Sequence, residues 1–234
     1  IHYHDIGDYL TRERKLEILK EASSIQQIKW ESITPNEKAD WINQRGDVFD
    51  TLTPLAPEKK FDTGTKSLFV VNSLGLNTNR DVWVYNHNTR NLLSKMKSTI
   101  TFYNSLIEDN TLGKPVNKDF SNAQKISWSS SLTSHFERNV KTKFQPEKIR
   151  NAVYRPFFKQ NLYFGEKFIH RRGQWDEIFP TPDTQNLVIC VSGIGVTKDF
   201  SCIISNILPD LELIGKSQCF PLYYYAEQSK SDLF

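Results

Sequence analysis

Leu92, Met96, Ile100 and Tyr103 recur at spacings of three or four residues, the spacing that puts side chains on one face of an α-helix. That face needs an apolar partner, so the helix constrains whatever fold surrounds it. Arg90, Lys95 and Lys97 lie on or beside its polar side. Ahead of it stands a polar loop, Asn77, Thr78, Asn79, Arg80 and Asp81, whose side chains form paired hydrogen bonds readily. Between loop and helix, residues 82–85 are β-branched or aromatic, which predicts a short strand. Asn, Arg and Gln are the side chains that read base edges, and Lys and Arg hold phosphates. Taken alone, the stretch reads first as a strand–helix unit of an ordinary core with a solvated basic face.

Charge distribution shifts this reading. The net formal charge of the 234 residues is only +3. Residues 76–172 nevertheless hold 17 Lys and Arg against 7 Asp and Glu, while the remainder holds 13 against 20. One basic block between acidic flanks is the electrostatic footprint of a surface that binds a polyanion, or of one that docks on an acidic neighbouring domain.

The other segments supply an α+β inventory. Residues 1–6 alternate as a short strand. Residues 11–22 predict a helix with Leu16 and Leu19 on its apolar side, and residues 25–33 a strand. Thr34, Pro35 and Glu37 form a capping box with Pro at the first helical position, which predicts a helix running through Trp41 and Ile42 towards Phe49. Two prolines and several charges between residues 53 and 64 mark the best internal boundary. It separates a mostly helical lead-in, 1–58, from a core at 59–234. Leu68 to Val71 is expected as a buried strand. Residues 131–140 predict a short helix bearing Leu132 and Phe136, and Pro146 a turn or helix ending near Ala152. Strand-like runs recur at 187–192, 200–204 and 220–225. The whole predicts a mixed, largely antiparallel sheet with flanking helices.

Catalytic signatures are missing from the sequence. There is no phosphate loop of the G-x-x-x-x-G-K-S/T type, no G-x-S-x-G elbow and no H-E-x-x-H. His2 and His4 lack a third ligand nearby, and the three cysteines, with no C-x-x-C spacing, read as reduced thiols of a cytosolic protein. The expectation is a fragment that binds without reacting and has no cofactor of its own. Residues 154–164 interleave aromatics with Arg155, Lys159, Gln160 and Asn161. Such a stretch either stacks bases between phosphate-holding cations or forms an aromatic core strand with polar residues outward. Arg171 and Arg172 precede Gly173 as a basic loop tip or an ordinary turn. No apolar run approaches bilayer-spanning length, and the chain starts without Met, as expected of a piece of a larger protein.

Six segments together carry a family resemblance. They are YHDIGDYLTRERKLEIL at residues 3–19, WESITPNEKADWINQRGDVF at 30–49, TNRDVWVYN at 78–86, KISWS at 125–129, YRPFFKQNLYF at 154–164 and CFPLYYY at 219–225. Their pattern resembles the C-terminal target recognition region of type ISP restriction–modification enzymes. These are long bacterial, cytoplasmic polypeptides joining a nuclease, a helicase-like ATPase and an adenine methyltransferase to this region. The resemblance implies reading of an asymmetric double-stranded DNA sequence, presenting its adenine for methylation and licensing cleavage of unmodified DNA. It places residues 1–58 against a preceding methyltransferase, with the methyltransferase and helicase domains as partners. S-adenosylmethionine, ATP and Mg2+ are implied for the parent enzyme alone. The competing reading is a docking domain within the same polypeptide that does not bind DNA.

Overall fold

The structure, a computed structural model, describes residues 1–42, 44, 46–57, 64, 66–110, 125–197 and 199–225. Two units make up the chain, Ile1–Thr53 and Pro54–Phe234.

In the first unit, strand β1 (His2–Tyr3) is followed by helix α1 (Arg12–Glu21), and β1 pairs antiparallel with β2 (Glu31–Ser32). Thr11 caps α1 by accepting from the Arg14 amide at 3.3 Å, and Arg14 pairs with Glu17 one turn on at 3.0 Å. The helix buries none of its side chains, Leu16 and Leu19 included. The strand expected over 25–33 is a 3-10 turn, Ile25–Gln27, followed by β2 alone.

The helix predicted from the capping box at Thr34 does not form. Asn36 organises the segment instead, its side-chain oxygen accepting from the amides of Lys38 (3.0 Å) and Asp40 (2.9 Å). Asn and Asp side chains compete with helical bonding in this way, and Ala39 sits at φ +61°, outside helical geometry. The remaining helical turn here is the 3-10 segment Asp47–Thr51. His4 Nδ1 lies 2.9 Å from the Lys29 carbonyl. Among the described residues no group of three His, Cys, Asp or Glu could hold a metal.

The second unit holds two four-stranded sheets. One runs β3 (Ser73–Leu74), β10 (Gln218–Pro221), β7 (Val188–Val191), β8 (Cys202–Ser205), with antiparallel pairs throughout. The other runs β4 (Tyr85–Asn86), β6 (Phe158–Tyr163), β5 (Ile149–Arg155), β9 (Leu208–Pro209), and only β5 with β9 is parallel. The mixed, largely antiparallel α+β fold is therefore present. Cys190 and Cys219 face one another across β7 and β10 with sulfurs 3.6 Å apart, both buried, whereas Cys202 is exposed.

Helix α3 (Thr89–Asn110) carries the predicted face: Leu92, Met96, Ile100, Tyr103 and Ile107 are all within 3% of full burial. Each such side chain contributes roughly 1.5–3 kcal/mol on burial. Helix α4 (Ser130–Glu137) sets Leu132 and Phe136 into the same core, with Ser129 capping it through the Leu132 amide. Tyr103 lies about 6 Å from the rings of Phe136 and Phe168, and its hydroxyl donates to the Val140 carbonyl.

Three local expectations change. Residues 81–84 form a helical turn, α2 (Asp81–Val84), and only Tyr85 and Asn86 are extended. The carbonyl of Arg80 accepts from the amides of Trp83 and Val84, and Thr78 bonds Asp81 from the preceding residues; these local bonds outweigh β propensity. The segment 68–71 is not a strand: Leu68 and Val70 are exposed, and Phe69 packs on Phe220 at 5.3 Å. Pro146 opens a single 3-10 turn, Pro146–Lys148, and strand β5 already begins at Ile149.

Candidate nucleic-acid interface

The loop ahead of α2 is held by backbone on both sides. Asn77 exchanges main-chain bonds with Arg171, and Leu76 with Pro209 and Leu211. Gly75 permits that approach, since a Cβ there would stand 2.5 Å from the Asp210 carbonyl oxygen. The segment 210–212 is thereby brought beside 76–83. Together with Ser127 they line a cleft of about 560 Å³.

Within the loop, exposure alternates. Thr78 (1%) and Arg80 (3%) are buried, while Asn79 between them is exposed at φ +52°, a conformation that Asn tolerates better than most residues. The Arg80 guanidinium donates to the carbonyls of Ser127 (3.1 Å) and Lys167 (3.4 Å) and to Ser129 Oγ (2.5 Å), and sits 5.6 Å from the Phe168 ring. Among the described residues no carboxylate pairs with it, and burial lowers its pKa to about 10. Ser129 and Ser131 continue the chain of contacts to His170 Nδ1. Burial first, then Arg171 and Arg80, lower the pKa of His170.

On the opposite wall Asp210 accepts from Tyr85 (3.1 Å) and pairs with Arg155 (2.8 Å). Its carboxyl is pushed up to about 6 by burial, with the amide of Glu212 and the Arg155 charge acting against that rise. Asp81 is bonded by Thr78 and by Tyr154 (3.1 Å) and lies 3.9 Å from Arg155. With Glu212 exposed at the rim, the cleft holds three carboxylates, Asp81, Asp210 and Glu212. Such a lining suits exocyclic amines of bases and repels phosphates.

A second groove adjoins it, because Trp83 lines both. This groove, about 600 Å³, has Lys95, Lys97 and Lys125 in its walls, with Phe102 beneath Lys125 at 5.1 Å. Lys95 donates to the Val82 carbonyl at 2.7 Å and so fixes the end of α2. Among the described residues Lys97 makes no ion pair or hydrogen bond through its side chain and is exposed. A positive groove of this kind suits a phosphate backbone.

The sequence-predicted residues therefore divide. Arg155 and Arg172 are spent internally: Arg155 also stacks on Tyr154 at 3.9 Å, while Arg172 binds Asp176 and the Phe164 carbonyl and lies 3.6 Å over the Phe164 ring. Asn161 donates to the carbonyls of Asn86 and His87. Arg90, Lys159 and Arg171 are exposed, and Gln160 is half-buried. Asn77, Thr78, Asn79 and Arg80 meet at the first cleft and Lys95 and Lys97 at the second. Lys159 and Gln160 stand apart, on β6. Residues 210–212, Ser127, Trp83 and Lys125 were missed. Trp83, Lys125 and Ser127 lay inside quoted motifs, but nothing local connects Asp210 to a loop 130 positions earlier.

The chain matches the Type ISP C-terminal specificity domain over residues 67–234. Three solved structures are similar to it. A nuclease-deletion mutant of the Type ISP restriction–modification enzyme LlaGI, in complex with a DNA substrate mimic, is 38% identical over 96% of this chain (TM-score 0.76). The ATP-dependent Type ISP enzyme LlaBIII bound to DNA is 36% identical over all of it (TM-score 0.78). A DrdV–DNA complex is 28% identical over 97% (TM-score 0.76). The chain spans 18%, 15% and 22% of those polypeptides respectively. No curated protein matches it. Among the described residues no helix is long and apolar enough to cross a membrane.

Proposed function

We propose, from the premise that this chain belongs to the family of Type ISP C-terminal specificity domains, that it is the double-stranded-DNA sequence-recognition module of a multifunctional restriction–modification enzyme. One observation carries the reading. The polypeptides that this chain resembles over 96–100% of its length at 36–38% identity are enzymes solved on DNA or a DNA mimic. The paired clefts support it: one carboxylate-bearing, suited to base edges, and one lysine-lined, suited to phosphates.

In this reading the module fixes the register of the parent enzyme on its site, presents the target adenine for methylation and licenses cleavage of unmodified DNA. The neighbouring methyltransferase and helicase domains would be its partners. S-adenosylmethionine, ATP and Mg2+ would serve those domains, and this chain would need no cofactor of its own.

The test is selection of bound duplexes from a random library, followed by binding titrations at several salt concentrations. Enrichment of one asymmetric sequence, with affinity falling linearly on a log–log salt plot, is expected. No enrichment at low salt would overturn the proposal and leave the docking reading.

A further inference from the structure

The hairpin joining β5 to β6 ends in a turn whose sequence contradicts its geometry. Arg155 pairs with Phe158, so Pro156 and Phe157 form the whole connection. Proline suits the first turn position, its φ being fixed near about −65°. The second position lies at φ +62°, where turns select Gly or Asn because a Cβ is strained there. Here it holds a phenylalanine, and that ring is 92% exposed. A bulky apolar side chain thus stands in solvent on a backbone that disfavours it, and no contact among the described residues explains the choice.

The mounting is rigid. Arg155, the residue before the turn, is clamped to Asp210 at 2.8 Å and lies on the Tyr154 ring at 3.9 Å. Tyr154 is bonded to Asp81 and packs against Tyr85, the rings tilted by 51° with centroids 4.7 Å apart. Asp81 and Asp210 also line the first cleft, so the tip is braced from the cleft's own wall. Beyond the turn, Phe158 meets His87 edge-on at 4.8 Å, and Lys159 is exposed. From residue 149 to 163 the hairpin carries Arg150, Arg155 and Lys159 and no Asp or Glu.

We infer that Phe157 is an apolar wedge that stacks on bases of the bound duplex at one base step, with Lys159 facing the adjoining phosphate. Aromatic or aliphatic wedges of this kind partly unstack a step and fix a protein on deformed DNA. With Arg155 paired to Asp210, Arg150 and Lys159 still leave the acid-free hairpin positive, which selects a nucleic acid over an acidic protein surface that would itself have to supply an apolar pocket. The inference rests on the DNA-recognition reading above.

The experiment uses the whole chain and the duplex selected with it, carrying 2-aminopurine at successive positions, with wild type, Phe157→Gly and Phe157→Trp. Glycine relieves the positive φ, so its melting temperature should equal or exceed that of wild type. Its affinity should nevertheless fall about tenfold or more, as for loss of one base–aromatic stack. Wild type and the tryptophan variant should change the fluorescence at one step only, and the glycine variant at none. If wild type binds DNA and Phe157→Gly binds as tightly with the same fluorescence profile, the wedge is wrong and the recognition reading stands. If wild type binds no duplex, both fall. Unchanged DNA binding with loss of association to the preceding domain of the parent polypeptide would make the tip a protein contact and overturn the wedge.

Discussion

Replacing Arg80 by Ala tests whether the loop at residues 77–81 is scaffold or reader. Burial moves the guanidinium from 12.5 to about 10, so holding the cation in place costs roughly 3 kcal/mol. Against this stand three hydrogen bonds, to Ser127, Lys167 and Ser129, each contributing about 1.5–3 kcal/mol because the donor is charged, or roughly 6 kcal/mol together. The alanine variant forgoes the cost and the bonds alike, leaving a net loss of about 3 kcal/mol. For a domain of this size that lowers Tm by about 6–12 °C. Calorimetry or thermal circular dichroism reads the stability, and titration on cognate and scrambled duplexes reads the binding. Both duplexes should weaken together, because the loop and the cleft it shapes loosen. An unchanged Tm, with affinity lost on the cognate duplex alone, would refute this and return Arg80 to the base-reading residues.

Three further outcomes follow from the same geometry. Lys97→Ala should weaken binding to every duplex alike and reduce the salt slope by about one, with Tm unchanged; selective loss on the cognate site would contradict a phosphate role. Asn79→Asp keeps a residue that tolerates positive φ but exchanges an amide for a carboxylate. It should cost about 1–3 kcal/mol on the cognate duplex and little elsewhere, and a uniform loss would argue against reading. For Asp210 the folded state holds the proton more tightly than the unfolded chain, its pKa lying near 6 against an ordinary 3.8. Its stabilising contribution is therefore complete below 3.8 and lost as pH rises through 6. Asp210→Asn does not ionise, so from pH 4 to 7 the stability difference should drift in its favour by roughly 3 kcal/mol. Urea unfolding at each pH measures this, and a drift of opposite sign would refute the assignment.

What was legible in the sequence was periodic or chemically self-contained. The face of α3 came directly from its spacing, and the helices α1 and α4 from theirs. Two of the errors share one cause, competition between a local signal and a polar group placed nearby. The box at Thr34 loses to the Asn36 side chain, which supplies two turn bonds where a helix would need backbone ones. Most of the apolar run, residues 82–84, coils because the Arg80 carbonyl closes a helical turn. Asp210 was not visible at all, because it reaches the cleft through a parallel pairing, β5 with β9, between distant segments, and no window of sequence contains that information.

The loop's composition was a poor guide to its readers for a related reason. Polar side chains there can bond bases, yet much of that capacity is used on the protein itself. The Thr78 hydroxyl donates to the Asp81 carboxylate and Arg80 ties three separated segments together, while the Asn77 backbone is paired with that of Arg171. The effect of these internal bonds is to lift Asn79 out between two buried neighbours and to hold it there. Arg155 repeats the logic on the hairpin: its charge is absorbed by Asp210, and the residue thus presented is Phe157. In both places an arginine, buried at Arg80 and half-buried at Arg155, uses its own donors within the protein to fix the exposure of a neighbour. Contacts to DNA should accordingly concentrate on the residues beside these internally bonded cations, and the arginines themselves should register as stability.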